Sequence, residues 1–240
     1  MKIHITMQGK GGVGKSFVSA TTAQYKIHKG ENPLCIDTDP INATFHGFKA
    51  LNVERLEIMD KDEINSRHFD ELIERVATTK DDVVIDNGAS SFVPLSHYLI
   101  SNHVPSLLKE LGHELVIHTV ITGGQALLDT VHGFSQLINQ FSKEVHFVVW
   151  LNPYWGAISN DGKEFEQMKA YRDNKDRISS LIYIPALKEE TYGRDLTEML
   201  QKKITFNEAL NDPQNNIMTR QRLKIIRDQL FDQLNNAVVI

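Results

Sequence analysis

Short apolar runs alternate with longer amphipathic stretches along most of the chain. Six runs are predicted to be strands, and most are continuously apolar, as strands covered on both faces are: Lys2–Met7, Pro33–Asp37, Asp82–Asp86, Glu114–Ile121, Val145–Leu151 and Leu181–Ile184. Helical patterns are predicted at Lys15–Lys29, Ser66–Thr78, Gln125–Phe141, Gly162–Arg172, Gly193–Lys202 and Thr219–Asn235. This alternation predicts an α/β fold with a doubly wound, mostly parallel sheet.

Size and composition narrow the class of protein. The 240 residues fit one domain, residues 1–240, and 41% hydrophobic residues can bury one sizeable core. A net charge of -5 gives no overall basic surface, so binding of nucleic acid would have to rest on a local patch. A single cysteine, Cys35, excludes an intramolecular disulfide. No signal peptide or transmembrane segment is visible, so we expect a cytoplasmic protein.

The first predicted strand and helix are joined by the string GKGGVGKS, Gly9–Ser16, which matches the phosphate-loop pattern GxxxxGK[ST]. Its glycines let the backbone curl so that N–H groups face inward, and the helix adds its positive end. Lys15 supplies a charge for the β- and γ-phosphates, and the hydroxyl of Ser16 suits Mg²⁺. We therefore expect ATP or ADP with Mg²⁺ to contact Gly9, Lys10, Gly11, Gly12, Val13, Gly14, Lys15, Ser16 and Phe17.

Carboxylates follow two of the predicted strands. Asp37 and Asp39 end the run Leu34–Asp39, and Pro40 stops the strand. Asp86 ends the run VVID and would hold Mg²⁺, because a phosphoryl-transfer site needs a metal held by carboxylates and a group that orients water.

The string KGGVGKS resembles the deviant Walker A loop of the MinD/ParA group of ATPases, and Lys10 is the residue that carries the resemblance. It implies a homodimer with ATP between the subunits, in which Lys10 reaches the nucleotide of the partner. Asp37–Pro40 resembles switch I, which implies that Asp39 orients water or is linked to the metal. The resemblance implies Lys10, Lys15 and Asp39 as catalytic residues, and Ser16, Asp37, Asp39 and Asp86 as the metal site.

Two further strand ends resemble the adenine pocket of this group. Asn152 offers the donor and acceptor that an adenine edge needs, and Pro185 follows the last strand. Tyr154 and Trp155 stack on the base or contact the partner subunit, or else they only anchor their loop; the sequence leaves these alternatives open.

Within the group, segments spread over nearly the whole chain resemble conjugative-transfer ATPases of the TraL type: Ile36–Thr44, Ile85–Ser90, His118–Gly124, Trp150–Gly156 and Ile184–Glu190. The resemblance implies a role in plasmid conjugation with a protein partner from the transfer machinery. The basic last helix is expected to pack on the core with its charges in solvent, and contact with DNA or a membrane surface is the alternative.

These features predict an ATPase that acts as an ATP-dependent dimerisation switch and hydrolyses ATP slowly. One alternative is a small-molecule kinase or amide-forming synthetase, for which no clear set of acid and base groups is present. The other is a nucleotide-binding scaffold without hydrolysis, against which the three aspartates argue.

Overall fold

The computed structural model describes residues 1–240 and places a parallel sheet at the centre of the molecule. The strands are β1 Lys2–Thr6, β2 Leu34–Asp37, β3 Glu54–Arg55, β4 Met59–Asp60, β5 Glu63–Ile64, β6 Val83–Asp86, β7 Glu114–Thr122, β8 His146–Asn152, β9 Ser159–Asn160, β10 Lys163–Glu164 and β11 Ile178–Tyr183. Seven form one sheet in the order β11-β8-β7-β1-β6-β2-β3, with every neighbouring pair parallel. The pairs β4–β5 and β9–β10 are short antiparallel hairpins.

Helices cover both faces of this sheet. They are α1 Lys15–His28, α2 His68–Thr78, α3 Phe92–Ser101, α4 Val104–Glu110, α5 Leu127–Gln140, α6 Lys169–Arg172, α7 Arg194–Gln201, α8 Phe206–Asn211 and α9 Ile217–Asn236. Alternate residues of β7 enter opposite layers: Ile117 and Ile121 belong to a cluster of 29 buried residues, and Val116 and Val120 to a cluster of 19. The predicted doubly wound α/β fold is confirmed.

One predicted helix is wrong. In Gly162–Arg172 only the last four residues are α-helical, because the segment begins in the hairpin β9–β10 and continues through a 3-10 turn, Phe165–Gln167. Asp161 and Gly162 have φ angles of 50° and 72°, the left-handed conformation that closes a tight hairpin turn. Phe165, Met168 and Tyr171 recur at a spacing of three residues, which is close to the period of a helix.

Three helices, α3, α4 and α8, lie where no element was predicted. Pro94 and Pro105 fall in the first turns of α3 and α4, where the amide hydrogen that proline lacks has no partner within the helix anyway. Helix α8 is only six residues long, and Thr205 and Glu208 cap it reciprocally.

The C-terminal helix α9 packs on the core, as expected. Leu223, Ile226 and Leu230 are buried in the cluster of 19 residues. Two of its arginines are paired: Arg222 bonds Asp195 at 2.5 Å, and Arg227 bonds Asp228 of the same helix at 2.7 Å. No helix of the chain combines the length and the apolar character needed to cross a membrane.

Candidate nucleotide-binding site

The loop between β1 and α1 has the conformation that its glycines allow. Gly12 and Gly14 have φ angles of 73° and 103°, which a residue with a side chain rarely adopts. Lys15 is buried, and its ammonium donates to the carbonyl of Lys10 at 2.9 Å across the loop. Burial lowers the pKa of Lys15, and the nearby charges of Asp86 and Asp39 oppose this effect. A bound polyphosphate would supply the negative charge that this lysine faces.

Gln8 fixes the start of the loop. Its amide nitrogen donates to the carbonyls of Val120 in β7, at 3.0 Å, and Thr130 in α5, at 3.1 Å. Its amide oxygen accepts from the backbone N–H of Gly9 at 2.9 Å. Gly133 leaves the room that this requires, since a Cβ there would lie 2.3 Å from the Gln8 oxygen. The phosphate loop is therefore tied to the sheet and to α5 before any ligand binds.

Asp86 is the buried carboxylate next to the loop. It accepts hydrogen bonds from the hydroxyls of Ser16, at 2.5 Å, and Ser19, at 2.9 Å. Burial, with the charge of Asp37 as a second cause, raises the pKa of Asp86 to about 7. Two oxygen donors, the Ser16 hydroxyl and Asp86, thus lie together at the start of α1, and oxygen is the ligand that Mg²⁺ prefers.

The four predicted metal ligands, Ser16, Asp37, Asp39 and Asp86, do not all surround one point. The structure contains no group of three or more His, Cys, Asp or Glu side chains arranged around one point. Asp37 uses both carboxylate oxygens on backbone N–H groups, of Asp39 at 2.9 Å and His46 at 2.8 Å. Mg²⁺ commonly takes only one or two carboxylates and completes its shell with water and phosphate oxygens, so Ser16 with Asp86 fits it.

The loops after β2 and β6 touch each other. One carboxylate oxygen of Asp39 accepts from the N–H groups of Ile41, at 2.9 Å, and Asn42, at 3.0 Å. Gly88 lies directly against this carboxylate, because a Cβ on Gly88 would be 2.7 Å from Asp39 Cγ. Asp39 therefore faces the cavity from a loop that the backbone itself holds in place.

A cavity of about 440 Å³ joins these loops. It is lined by Gly11, Gly12, Gly14, Lys15, Ser16, Phe17, Asp39, Ile41, Asn42, Thr44, Phe48, Ala89, Ser90, Leu200 and Lys203. Six of the predicted nucleotide contacts are among them, whereas Asn152 and Pro185 are not. Three further residues line the cavity from segments without a recognisable motif: Phe48, Leu200 and Lys203.

Lys10 takes a different direction from Lys15. Its side chain is 45% exposed, and its ammonium bonds Asp129 in the first turn of α5 at 2.8 Å. It does not line the cavity. The two lysines of the loop thus point in different directions: Lys15 lines the cavity, and Lys10 is held at the surface.

Asn152 supports the loop in this structure. Its amide nitrogen donates to the carbonyl of Val13 at 2.9 Å, and its oxygen accepts from the N–H of Tyr154 at 3.2 Å. The indole N–H of Trp155 donates to the carbonyl of Gly12 at 3.2 Å. Trp155 therefore anchors its loop to the phosphate loop, although its side chain and that of Tyr154 remain exposed.

The comparison with protein families decides the relationship. The family model described as anion-transporting ATPase matches residues 1–178, from β1 to the first residue of β11. The chain belongs to the anion-transporting ATPase family. The match includes the phosphate loop and all three aspartates, and membership of an ATPase family implies a site for ATP or ADP.

Named relatives and solved structures are similar to this chain. Two relatives from Escherichia coli, each named Protein TraL, are 71% and 68% identical over 239 residues, 100% of this chain and 99% of theirs. MinD from Aquifex aeolicus superposes with a TM-score of 0.51 at 13% identity, covering 97% of this chain and 98% of that one. In the MinC:MinD complex of that organism the values are 0.54 and 12%, with coverage of 97% and 96%. The family expected from the loop sequence is confirmed, and the solved structures show the same fold.

Proposed function

We propose that the chain is a Mg-ATP-dependent dimerisation switch that hydrolyses ATP slowly to ADP and phosphate. The observation that carries this proposal is the separation of the two loop lysines. Lys15 lines the cavity beside Ser16, while Lys10 is held at the surface by Asp129. A lysine that belongs to the phosphate loop but does not line the cavity of its own subunit would be able to reach a nucleotide bound by a second subunit.

The residues of the cavity suit a nucleoside triphosphate. The backbone N–H groups of Lys10–Ser16, the N-terminus of α1 and Lys15 would hold the phosphates. Mg²⁺, when bound, neutralises phosphate charge, and Ser16 and Asp86 would hold it. Asp39 would orient the attacking water, and Asp37 would support the loop of Asp39 through the N–H bonds described above. These roles are our proposal for the site.

The base would lie toward Asn152 and Pro185. One N–H of the Asn152 amide and one lone pair of its oxygen remain free after the bonds to Val13 and Tyr154. Those two groups would suffice to read one edge of adenine.

We place this switch in plasmid conjugative transfer, acting in the cytoplasm as one domain of residues 1–240 with a protein of the transfer machinery as partner. The support is the identity of 71% to a Protein TraL over the whole chain, together with the resemblance of the strand-end motifs. Direct binding of DNA is not proposed. Arg222 is paired with Asp195, Lys224 and Arg227 share Asp228, and the net charge is negative.

Light scattering with and without Mg-ATP tests the proposal. The wild-type chain of 27.3 kDa should double its mass with ATP. The mass of Lys10→Ala should be the same with and without ATP. Asp39→Ala should form dimers that persist, because hydrolysis is lost. Lys109→Ala is a matched control, since Lys109 is also an exposed lysine paired with a carboxylate, Glu144. If the mass of the wild-type chain does not change with ATP, and the chain instead transfers phosphate to a metabolite, it would be a kinase or synthetase.

A further inference from the structure

The cavity at the phosphate loop contains a second lysine that belongs to no motif. Of the fifteen lining residues only Lys15, Asp39 and Lys203 carry a charge, so Lys203 provides half of the positive charge. It lies just beyond α7, some 190 residues along the chain from the phosphate loop. Only the tertiary fold brings it to this cavity.

The position of Lys203 is fixed by the end of α7. Its N–H donates to the carbonyl of Leu200, and the N–H of Ile204 donates to that of Met199, which closes the helix in a Schellman-type turn. Lys203 has a φ of 55°, the left-handed conformation that such a turn requires. Leu200 packs against hydrophobic clusters on two sides, which holds this end of the helix.

The aliphatic stem of Lys203 packs against Gly47, whereas its ammonium has no ion-pair partner. A Cβ on Gly47 would lie 3.0 Å from Cγ and 3.2 Å from Cδ of Lys203, so the stem lies on the backbone of the segment that follows Asp39. Lys203 makes no ion pair. The lysines that do are Lys10, Lys26, Lys109, Lys188 and Lys224.

We propose that Lys203 binds the phosphate chain of the nucleotide, as a further cation of the site. This inference rests on the proposed function. A polyphosphate carries several negative charges, and a cation with no carboxylate partner in the same cavity is available to it. A lysine at a helix end also interacts with the helix dipole, but the exposed neighbour Lys202 is equally placed for that role. Binding would also couple α7 to the segment of Asp39 through Gly47.

Calorimetric titration with Mg-ADP tests this inference. Lys203→Met keeps an unbranched stem against Gly47 and removes the charge, so the Kd for ADP should rise about tenfold, as for the loss of one hydrogen bond to a charged group. Lys202→Met loses the same charge one residue away and should bind within about twofold of wild type. Lys203→Arg should retain the affinity, and the melting temperature of nucleotide-free Lys203→Met should stay near that of wild type.

The outcomes distinguish a failure of the role of Lys203 from a failure of the proposed function. If wild type binds ADP and Lys203→Met binds it equally well, the role of Lys203 is refuted and the proposed function stands. If Lys203→Arg binds Mg-ADP as weakly as Lys203→Met does, the shape of the side chain and not its charge determines the affinity, and the inference is overturned as well. A wild-type chain that does not bind ADP at all would remove the proposed function and this inference with it.

Discussion

Lys10 and Asp129 form the contact on which regulation of the proposed switch would depend. Their side chains are 45% and 58% exposed, and exposed ion pairs of this kind contribute little to stability because water screens them. The hydrogen bond to Lys10 lowers the pKa of Asp129, so the carboxylate is charged at neutral pH. The pair is therefore able to exchange for a stronger anion, such as the phosphate of a nucleotide in a partner subunit.

Asp129→Ala should promote ATP-dependent dimerisation by about two- to fivefold, because Lys10 no longer has to leave a partner in its own subunit. The dimer dissociation constant measured by analytical ultracentrifugation with Mg-ATP reports this. Asp129→Glu preserves the ion pair and should resemble wild type. Weaker dimerisation of Asp129→Ala would mean that Asp129 stabilises the dimer instead, contrary to our account.

At the scale of elements, the site is held by the contacts of β7 and α5 with the phosphate loop. Gln8 joins the three by its hydrogen bonds, and its amide sits where Gly133 of α5 has no side chain. A glycine within a helix normally costs about 1 kcal/mol relative to alanine. Here the close approach of Gln8 explains why the helix has glycine at this place.

Gly133→Ala should therefore destabilise the chain, against the usual gain in helix propensity. The new Cβ would lie 2.3 Å from the Gln8 oxygen and force this side chain, and the loop start at Gly9, to move. We expect a lower melting temperature and about tenfold weaker binding of Mg-ADP. His132→Ala, the exposed neighbour on the same helix, should do neither. A more stable Gly133→Ala with normal affinity would refute this view of the loop anchor.

These contacts also show which features could be predicted from the sequence and which could not. Buried parallel strands have continuous apolar runs, so β6 and β8 were predicted within one residue of their bounds. The phosphate loop and Asp86 were predicted from local motifs. Gln8, Asp129 and Lys203 act through partners far away in the chain, and no local pattern marks such contacts. Helix α6 was overestimated because the spacing of apolar residues is ambiguous where a hairpin enters a helix.

At the scale of the whole molecule, a polar chain crosses the centre of the sheet. The indole N–H of Trp150 donates to Nδ1 of His118 at 2.9 Å, and Nε2 of His118 lies 2.9 Å from Nδ1 of His4. Since indole only donates, His118 carries its hydrogen on Nε2 and donates it to His4. Nε2 of His4 then has no partner. Burial lowers the pKa of both imidazoles, that of His118 to about 3.

Acid should therefore weaken the fold. In the unfolded chain both imidazoles take up protons near pH 6.5, but in the folded chain they stay neutral, so stability is lost as the pH falls below that value. With its pKa lowered to about 3, His118 should cost about 2 kcal/mol of unfolding free energy between pH 6.5 and 4.5, and His4 should add to this loss in the same direction. Urea titrations at both pH values measure this. His4→Val should be less stable throughout but lose less on acidification, and the exposed His97→Gln should behave as wild type. An equal acid loss in His4→Val would contradict the assignment.

The binding of Mg-ATP itself is the measurement closest to the central claim. Isothermal titration of the wild-type chain should show saturable, magnesium-dependent binding of ATP. Lys15→Ala should abolish it, because the ammonium that lines the cavity is lost, while Lys109→Ala should bind normally. No magnesium-dependent affinity of the wild-type chain for ATP or any other nucleoside triphosphate would contradict the account at its base.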